Sequence, residues 1–470
     1  MTDRAGAVGR PTLSGDALAA VQHRGSHLQI IAGAGSGKTE VVAQRVVDLL
    51  AEGAPAESIV AFTFTERAAE ELKLRIARRV EDRLGREALD RLTNLFVGTI
   101  HAHCFRLLQQ RVPRYETYDV LDDNRLTAFL AREGKRLGLR RLDPRERLFA
   151  SIAAFIKGVE VVENELLDPT TMPEPLRTVL LAYYETLDRY RLLTYGQQVV
   201  RAVRELERPE LAAEVQAEVR QLIVDEYQDV NPAQERLIEL LAGRSVELCV
   251  VGDDQQAIYQ WRGSNVRNIL DFRDRYDEVA TFEISTNRRS RPQLIEVANR
   301  FARTIPERIE KEMAADRASA GSEPEIVVWS GDAEDVEAGW IASLIHDLHD
   351  LRGVRFRDIA VLVRSSAAYR RLVEQFATFD IPVQPGGRTG LFDQPEAVVI
   401  GKTFAWLADV EWREPFERGQ KVGAADLLDE YAQVFRLDSP ARVRLRRFLR
   451  DWKKYVPKTN RTADLVGELY

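Results

Sequence analysis

Apolar and polar positions alternate along this chain between short apolar runs and stretches of helical period. That is the pattern of a parallel sheet covered by helices. Leu28-Gln29-Ile30-Ile31 predicts a buried strand, and Ile59-Val60-Ala61-Phe62-Thr63-Phe64 predicts another, followed by a helix from Glu66 to Val80. Leu222-Ile223-Val224 and Leu248-Cys249-Val250-Val251 predict two more strands. From about 107 to 201 strand signals vanish and the period turns helical, broken once by Pro169, Pro173 and Pro175. An α/β domain interrupted by a helical insertion explains this better than two sequential domains. Residues 303–324 are polar and read as a linker or exposed helix. A second α/β pattern follows, with strands over Glu325–Trp329 and Ile359–Val363, a helix near 335–349 and another through Phe379. From about Thr403 the pattern is helical again.

Two of these strands end in chemistry. Ala32-Gly33-Ala34-Gly35-Ser36-Gly37-Lys38-Thr39 follows the first strand and opens a helix. Glycines there turn backbone N–H groups toward phosphates, and the helix N-terminus adds partial positive charge. Lys38 is placed to reach the β/γ-phosphates and Thr39 to hold Mg²⁺. The first position of the G-x-x-x-x-G-K-[ST] pattern is Ala32 rather than Gly. Asp225-Glu226-Tyr227-Gln228-Asp229 follows Val224, pairing a metal-holding acid with a water-activating one. Gly252-Asp253-Asp254-Gln255-Gln256 follows Val251, and just beyond it stand Tyr259, Trp261 and Arg262, side chains that stack on unpaired bases. Nucleoside triphosphate hydrolysis follows from Lys38, Thr39, Asp225 and Glu226, with Mg²⁺ as the expected ion.

Composition adds limits. The 470 residues, 45% of them apolar, suffice for about three domains. Two cysteines, Cys104 and Cys249, cannot form a disulfide framework, which suits a reducing, cytoplasmic setting. No apolar run approaches a membrane span, so no membrane partner is expected. A net charge of −7 requires nucleic-acid contacts to come from local basic patches. The candidates are 132–147, with seven Arg or Lys among three acids, and 442–454, interleaved with Trp452 and followed by Tyr455. His101, His103 and Cys104 lack the second Cys/His cluster that a zinc site needs. His103 reads as a helix-surface residue.

These motifs resemble those of the UvrD/Rep/PcrA-type superfamily 1 DNA helicases over nearly the whole chain. Ala61–Ala69, Val97-Gly98-Thr99-Ile100-His101 and Asn287-Arg288-Arg289-Ser290 are similar to further motifs of that family, and Gly386-Gly387 with Leu391-Phe392 to the turn before its mobile helical domain. The resemblance implies a P-loop, RecA-like α/β motor domain over 1–107 and 202–288, with a helical insertion at 108–201. It further implies part of a second RecA-like domain over 289–405 and the start of a helical mobile domain over 406–470. It implies that Gln256 senses the γ-phosphate and that Arg289 stabilises charge on the transferred group. Phe64, Tyr259 and Trp261 would take single-stranded bases, with Thr99, His101 and Arg262 also on DNA. The implied activity is 3′→5′ translocation on single-stranded DNA and at duplex junctions, fuelled by ATP with Mg²⁺, alongside repair or recombination proteins. A helicase–nuclease motor and a nucleotide-gated DNA-binding subunit are the rival readings.

Departures from the family pattern concern the nucleotide. Counted without gaps, Ala17 takes the place of an adenine-reading Gln, with Gln22 the nearest substitute. Glu40 follows Thr39 where Arg is usual, and Arg288 replaces a base-stacking Tyr, which suggests an Arg288–Glu40 pair and weak discrimination among purines. Gln255 replaces an acid. The family's last two motifs do not occur before Tyr470, so the chain is expected to be the N-terminal part of a longer protein, with poor turnover by itself.

Overall fold

The computed structural model describes residues 12–143, 148–243, 245–319, 321, 324–364, 366–384, 395–412 and 419–455. They form two compact units, one ending at Ile326 and the other beginning at Val327.

The first unit is built on strands β1 (His27–Ala32), β2 (Ile59–Thr63) and β3 (Phe96–Thr99), joined beyond the insertion by β6 (Gln221–Val224), β7 (Glu247–Gly252) and β8 (Val279–Ile284). The insertion contributes β4 (Asp119–Leu121) and β5 (Leu192–Thr194). The six-stranded sheet has the order β3-β2-β6-β7-β1-β8, and each neighbouring pair is parallel. β2 and β6 are buried throughout, as are β1 and β7 after their first residues. This is why these segments read as continuous apolar runs rather than alternating ones. Because the strands are parallel, the carboxyl ends of β1, β6 and β7 share one edge.

Helices α1 (Gly15–Gln22), α2 (Lys38–Ala51) and α3 (Glu66–Leu84) pack on one face. In α3 a stripe of Ala69, Leu72, Ile76 and Val80 is buried, and the Thr65 hydroxyl caps the helix by accepting from the Ala68 N–H. Helix α4 (Ile100–Arg111) lies on the other face. The insertion follows with α5 (Asp123–Leu137), α6 (Leu148–Asn164), α7 (Leu176–Tyr190) and α8 (Tyr195–Leu206), and most of it surrounds its own core, including Leu130, Phe155, Leu180 and Tyr183. The insertion is not purely helical, because β4 and β5 pair in parallel. Three-residue strands are too short to show a period, and their pairing joins segments far apart in sequence.

Helices α9 (Pro209–Glu218), α10 (Pro232–Ala242), α11 (Arg267–Leu270) and α12 (Phe272–Arg275) complete the α4 face, and α13 (Pro292–Ala302) follows the short strand β9 (Thr286–Asn287). The polar stretch after α13 is neither a linker nor a helix. Its strand β10 (Ala314–Ala315) pairs with β9, and the Lys311 side chain is 1% exposed. Residues 289–326 therefore belong to the first compact unit, past the boundary expected at 288.

The second unit contains α14 (Glu334–Arg352), α15 (Ser366–Thr378), α16 (Pro395–Leu407), α17 (Ala424–Val434) and α18 (Ser439–Tyr455). The helices expected there are present, but the strands expected over Glu325–Trp329 and Ile359–Val363 are not formed. Val328 and Leu362 are 90% and 94% exposed. An apolar run becomes a strand only where a neighbour supplies the ladder, and neither segment finds one among the described residues. Residues 386–387 and 391–392 lie outside the described residues. Among the described residues no helix is long and apolar enough to cross a membrane.

Candidate nucleotide and nucleic-acid site

The phosphate loop spans the gap between β1 and α2. Ala32 is the last strand residue and pairs with Ile284, so the first position of the pattern makes no turn and needs no glycine. Gly35 does need its freedom: its φ is +64°, and a Cβ there would meet the Asn287 side chain at 2.9 Å. Gly33 N–H donates to the Ile284 carbonyl, Ser36 Oγ is buried without a partner among the described residues, and Gly37 caps α2 with φ +96°. Lys38 and Thr39 stand in the first turn of α2.

A second turn holds this loop. Asn287 Nδ2 donates to the Ala34 carbonyl at 2.6 Å, while its Oδ1 accepts from the N–H groups of Arg289 and Ser290. Arg288 N–H donates to the Gly35 carbonyl and its Nη1 to the Ser36 carbonyl, at 2.9 and 3.0 Å. Both arginine side chains are exposed at the loop, and the Arg289 guanidinium has no partner among the described residues. Glu40 does not pair with Arg288. It is buried and accepts from Arg79 Nε at 2.9 Å and Arg75 Nη1 at 3.2 Å, because α2 packs its face against α3. Ala17 is buried in α1 and Gln22 is exposed at its end.

The acids stand at the ends of β6 and β7. Glu226 has φ 53°, a left-handed conformation uncommon outside glycine, and this turn sends its carboxylate toward the phosphate loop. Its Oε2 accepts from Lys38 Nζ at 3.1 Å and from Gln228 Nε2 at 2.8 Å. Gln228 Oε1 accepts the Asp253 N–H at 3.0 Å, and Asp253 Oδ2 accepts from Gln256 Nε2 at 2.6 Å. Expected base and expected sensor are thus joined through the Gln228 side chain and through Asp253, by its backbone N–H on one side and its carboxylate on the other. Asp225 accepts the Glu226 N–H at 3.0 Å. Burial raises its pKa, Glu226 adds to the rise and Lys38 opposes it. Burial, then Glu226, pushes Asp229 up to about 7, again against Lys38. A second cation suits this acidic, desolvated edge, and a carboxylate with a hydroxyl is the donor set that a hard divalent ion takes. Asp225 and Thr39 fit magnesium, and the orphan Ser36 hydroxyl with the glycine cradle fits phosphates. Gln255 Nε2 is buried without a partner among the described residues, and the structure offers no reason for the residue.

From Asp225 and Glu226 a cleft of about 890 Å³ runs past Phe64, Thr99, His101, Tyr259 and Trp261 to the insertion. Phe64 and Tyr259 lie 5.1 Å apart at 31°, Tyr259 and Trp261 6.5 Å apart, and Trp261 is 73% exposed. Phe64 and Tyr259 are half-buried, so Trp261 is the open end of the row, and an aromatic row of this kind offers faces to bases. The Arg262 side chain lies outside the described residues. The Thr99 hydroxyl donates to Glu66 at 2.8 Å and accepts the Ala102 N–H. His101 packs edge-on to Tyr195, and burial lowers its pKa to about 4, with Glu66 opposing the shift. His103 is half-buried rather than out on the helix surface. Its ring packs against Phe62 and Phe96 with both nitrogens unpartnered among the described residues, and burial lowers its pKa to about 4. The basic stretch from 132 is partly spent internally: Arg132 and Arg136 pair with Glu133, leaving Lys135, Arg140 and Arg141 exposed. In α18, Trp452 packs against Phe404 and Phe448, and Lys453 donates to the Leu407 carbonyl.

The profile of the UvrD/REP helicase N-terminal domain matches residues 13–277, and that of the UvrD-like helicase C-terminal domain matches 282–406. The chain belongs to the UvrD/Rep helicase family. Among curated relatives of this UvrD/Rep-family chain, ATP-dependent DNA helicase UvrD1 of Mycobacterium leprae is 33% identical over 80% of the chain and 50% of the relative. ATP-dependent DNA helicase PcrA of Staphylococcus epidermidis is 31% identical over 78% of the chain and 50% of the relative. PcrA of Bacillus subtilis is 30% identical over 80% and 50% respectively. The chain thus spans about half the length of these relatives. Sequence reasoning about this family member missed Arg75, Arg79 and Lys311. A lysine within Glu310-Lys311-Glu312 carries no pattern that separates it from a solvated charge.

Proposed function

We propose that this chain is the ATP-hydrolysing part of a DNA motor that moves 3′→5′ on single-stranded DNA and opens duplex junctions in repair or recombination. The observation that carries the reading is Glu226, bonded to Lys38 and Gln228 in a cleft that also holds Phe64, Tyr259 and Trp261. Lys38 offsets phosphate charge, and Gln256 and Arg289 stand at the γ-phosphate. Glu226 Oε1, without a partner among the described residues, accepts a proton from the attacking water as its oxygen bonds to phosphorus and the bond to the leaving diphosphate breaks. A magnesium ion held by Asp225 and Thr39 supplies charge neutralisation on the phosphates. Each base stacked on the aromatic row contributes roughly 1–3 kcal/mol, and a shift of the row on turnover moves the strand.

The test is Glu226→Gln. Triphosphate and single-stranded DNA binding are expected to persist, while DNA-stimulated hydrolysis falls roughly 10²-fold or more, the size of a lost general base. Hydrolysis at the wild-type rate would remove Glu226 from the role of base.

A further inference from the structure

Lys311 lies in the polar stretch after α13, yet its ammonium is buried between two carboxylates. Its Nζ is 2.9 Å from Asp253 Oδ1 and also contacts Asp254 Oδ1, and the side chains of Lys311, Asp253 and Asp254 are 1%, 3% and 0% exposed. Lysine is almost never buried without a partner, and here it has two. The segment that carries it is fastened on both sides. Ile309 N–H donates to Asp254 Oδ2 at 2.8 Å, Ala314 N–H to the Ser285 carbonyl at 3.1 Å, and Asp316 N–H to the Asn287 carbonyl at 3.0 Å. Arg317 Nη1 donates to the Arg289 carbonyl at 2.8 Å. Met313 lies against the phosphate loop, where a Cβ on Gly33 would come within 2.9 Å of it.

We propose that Lys311 is a positioning residue for γ-phosphate sensing, holding Asp253 and through it Gln256. The inference rests on the nucleotide-site reading above. Asp253 divides its carboxylate between the two: Oδ1 faces Lys311, and Oδ2 accepts from Gln256 Nε2 at 2.6 Å. Its backbone N–H meanwhile donates to Gln228, which in turn donates to Glu226. Lys311 is thus the far end of a chain of charge and hydrogen bonds that reaches both sensor and base. Asp253 Oδ1 also accepts the Gln255 N–H at 3.2 Å; without the ammonium it keeps that bond but has no cation in a desolvated site, so its grip on the Gln256 amide is weakened. Asp254 anchors the segment by accepting from Ile309, and has no such link to the sensor.

The experiment measures the affinity of Mg²⁺·ADP and of a non-hydrolysable Mg²⁺·ATP analogue for wild type, Lys311→Met, Asp253→Asn and Lys38→Ala, with melting temperatures alongside. Lys311→Met is expected to bind ADP within about threefold of wild type, but to lose roughly tenfold in its preference for the triphosphate, the scale of one charge-assisted hydrogen bond. Asp253→Asn is expected to lose the same preference, and decides the matter if Lys311→Met does not fold. A folded variant that keeps the wild-type ratio of the two affinities overturns the proposal, because a merely structural lysine would weaken both ligands alike. Wild type that binds neither nucleotide, or Lys38→Ala that binds both normally, marks failure of the nucleotide-site reading itself, and the proposal falls with it.

Discussion

Arg288 stands at the phosphate loop with its guanidinium on the Ser36 carbonyl, while Glu40, the acid expected beside it, is turned into α2–α3 packing by Arg75 and Arg79. The loop side of the nucleotide site therefore offers a planar cation and no carboxylate partner for it. A guanidinium stacks on any purine face, whereas strong rejection of a wrong base requires hydrogen bonds to its edge that the wrong base leaves unpaired. Hydrolysis of ATP and GTP with kcat/KM values within about tenfold of each other is the expected result. A preference for ATP of several hundredfold in steady-state assays would show that an edge-reading residue, such as Gln22, is at work. At this scale the order of residues was a good guide to position: Asp225 and Glu226 stand just past the end of β6, and Lys38 opens the helix after the phosphate loop. It could not show that Glu40 points away from Arg288, since that depends on which helix face meets α3.

Helix α6 illustrates what elements add. Its Glu163 is buried and accepts from Gln197 Nε2 at 2.7 Å, and Gly196 leaves room for it: a Cβ there would lie 2.0 Å from Glu163 Oε2. Burial raises its pKa from 4.5 to about 7, while Gln197, Tyr184 and Arg201 oppose the rise and Glu160 adds to it. Tyr183 lies beside it as well. Between those pH values the folded chain keeps a proton that the unfolded chain has released, so stability falls as pH rises from 4.5 to about 7 and levels off above. The full effect is on the order of 3 kcal/mol. Melting temperatures across pH 5 to 8 are expected to decline, and Glu163→Gln to flatten that decline. An unchanged slope in the variant would assign the pH response to another group. The helical period announced α6, but the burial of Glu163 against α8 depends on two helices meeting.

The whole molecule carries a net charge of −7, so on the proposed reading stacking and local cations, rather than the global field, would draw a strand to it. Lys135, Arg140 and Arg141 remain exposed in the insertion after Arg132 and Arg136 are taken up by Glu133. If they neutralise phosphates of a duplex, changing the three to Gln flattens the dependence of log K on log[salt] by about 0.9 for each phosphate left without its cation. That flattening is the expected result in a salt titration of junction DNA, and an unchanged slope would make them a solvated face.

The sequence by itself determined the parallel α/β core, the phosphate loop, the acid pair and the aromatic row, because each rests on local order: an apolar run, then a turn, then a reactive side chain. The same local reading overreached at Glu325–Trp329 and Ile359–Val363, where apolar runs find no ladder among the described residues. Only the tertiary structure decided that a polar stretch returns to the nucleotide site, that Lys311 is buried on Asp253 and Asp254, and that one chain of bonds joins Lys38, Glu226, Gln228, Asp253 and Gln256. The physical reason is that burial of a charge is a property of its surroundings. A lysine in a polar run looks solvated until the fold brings two carboxylates to it.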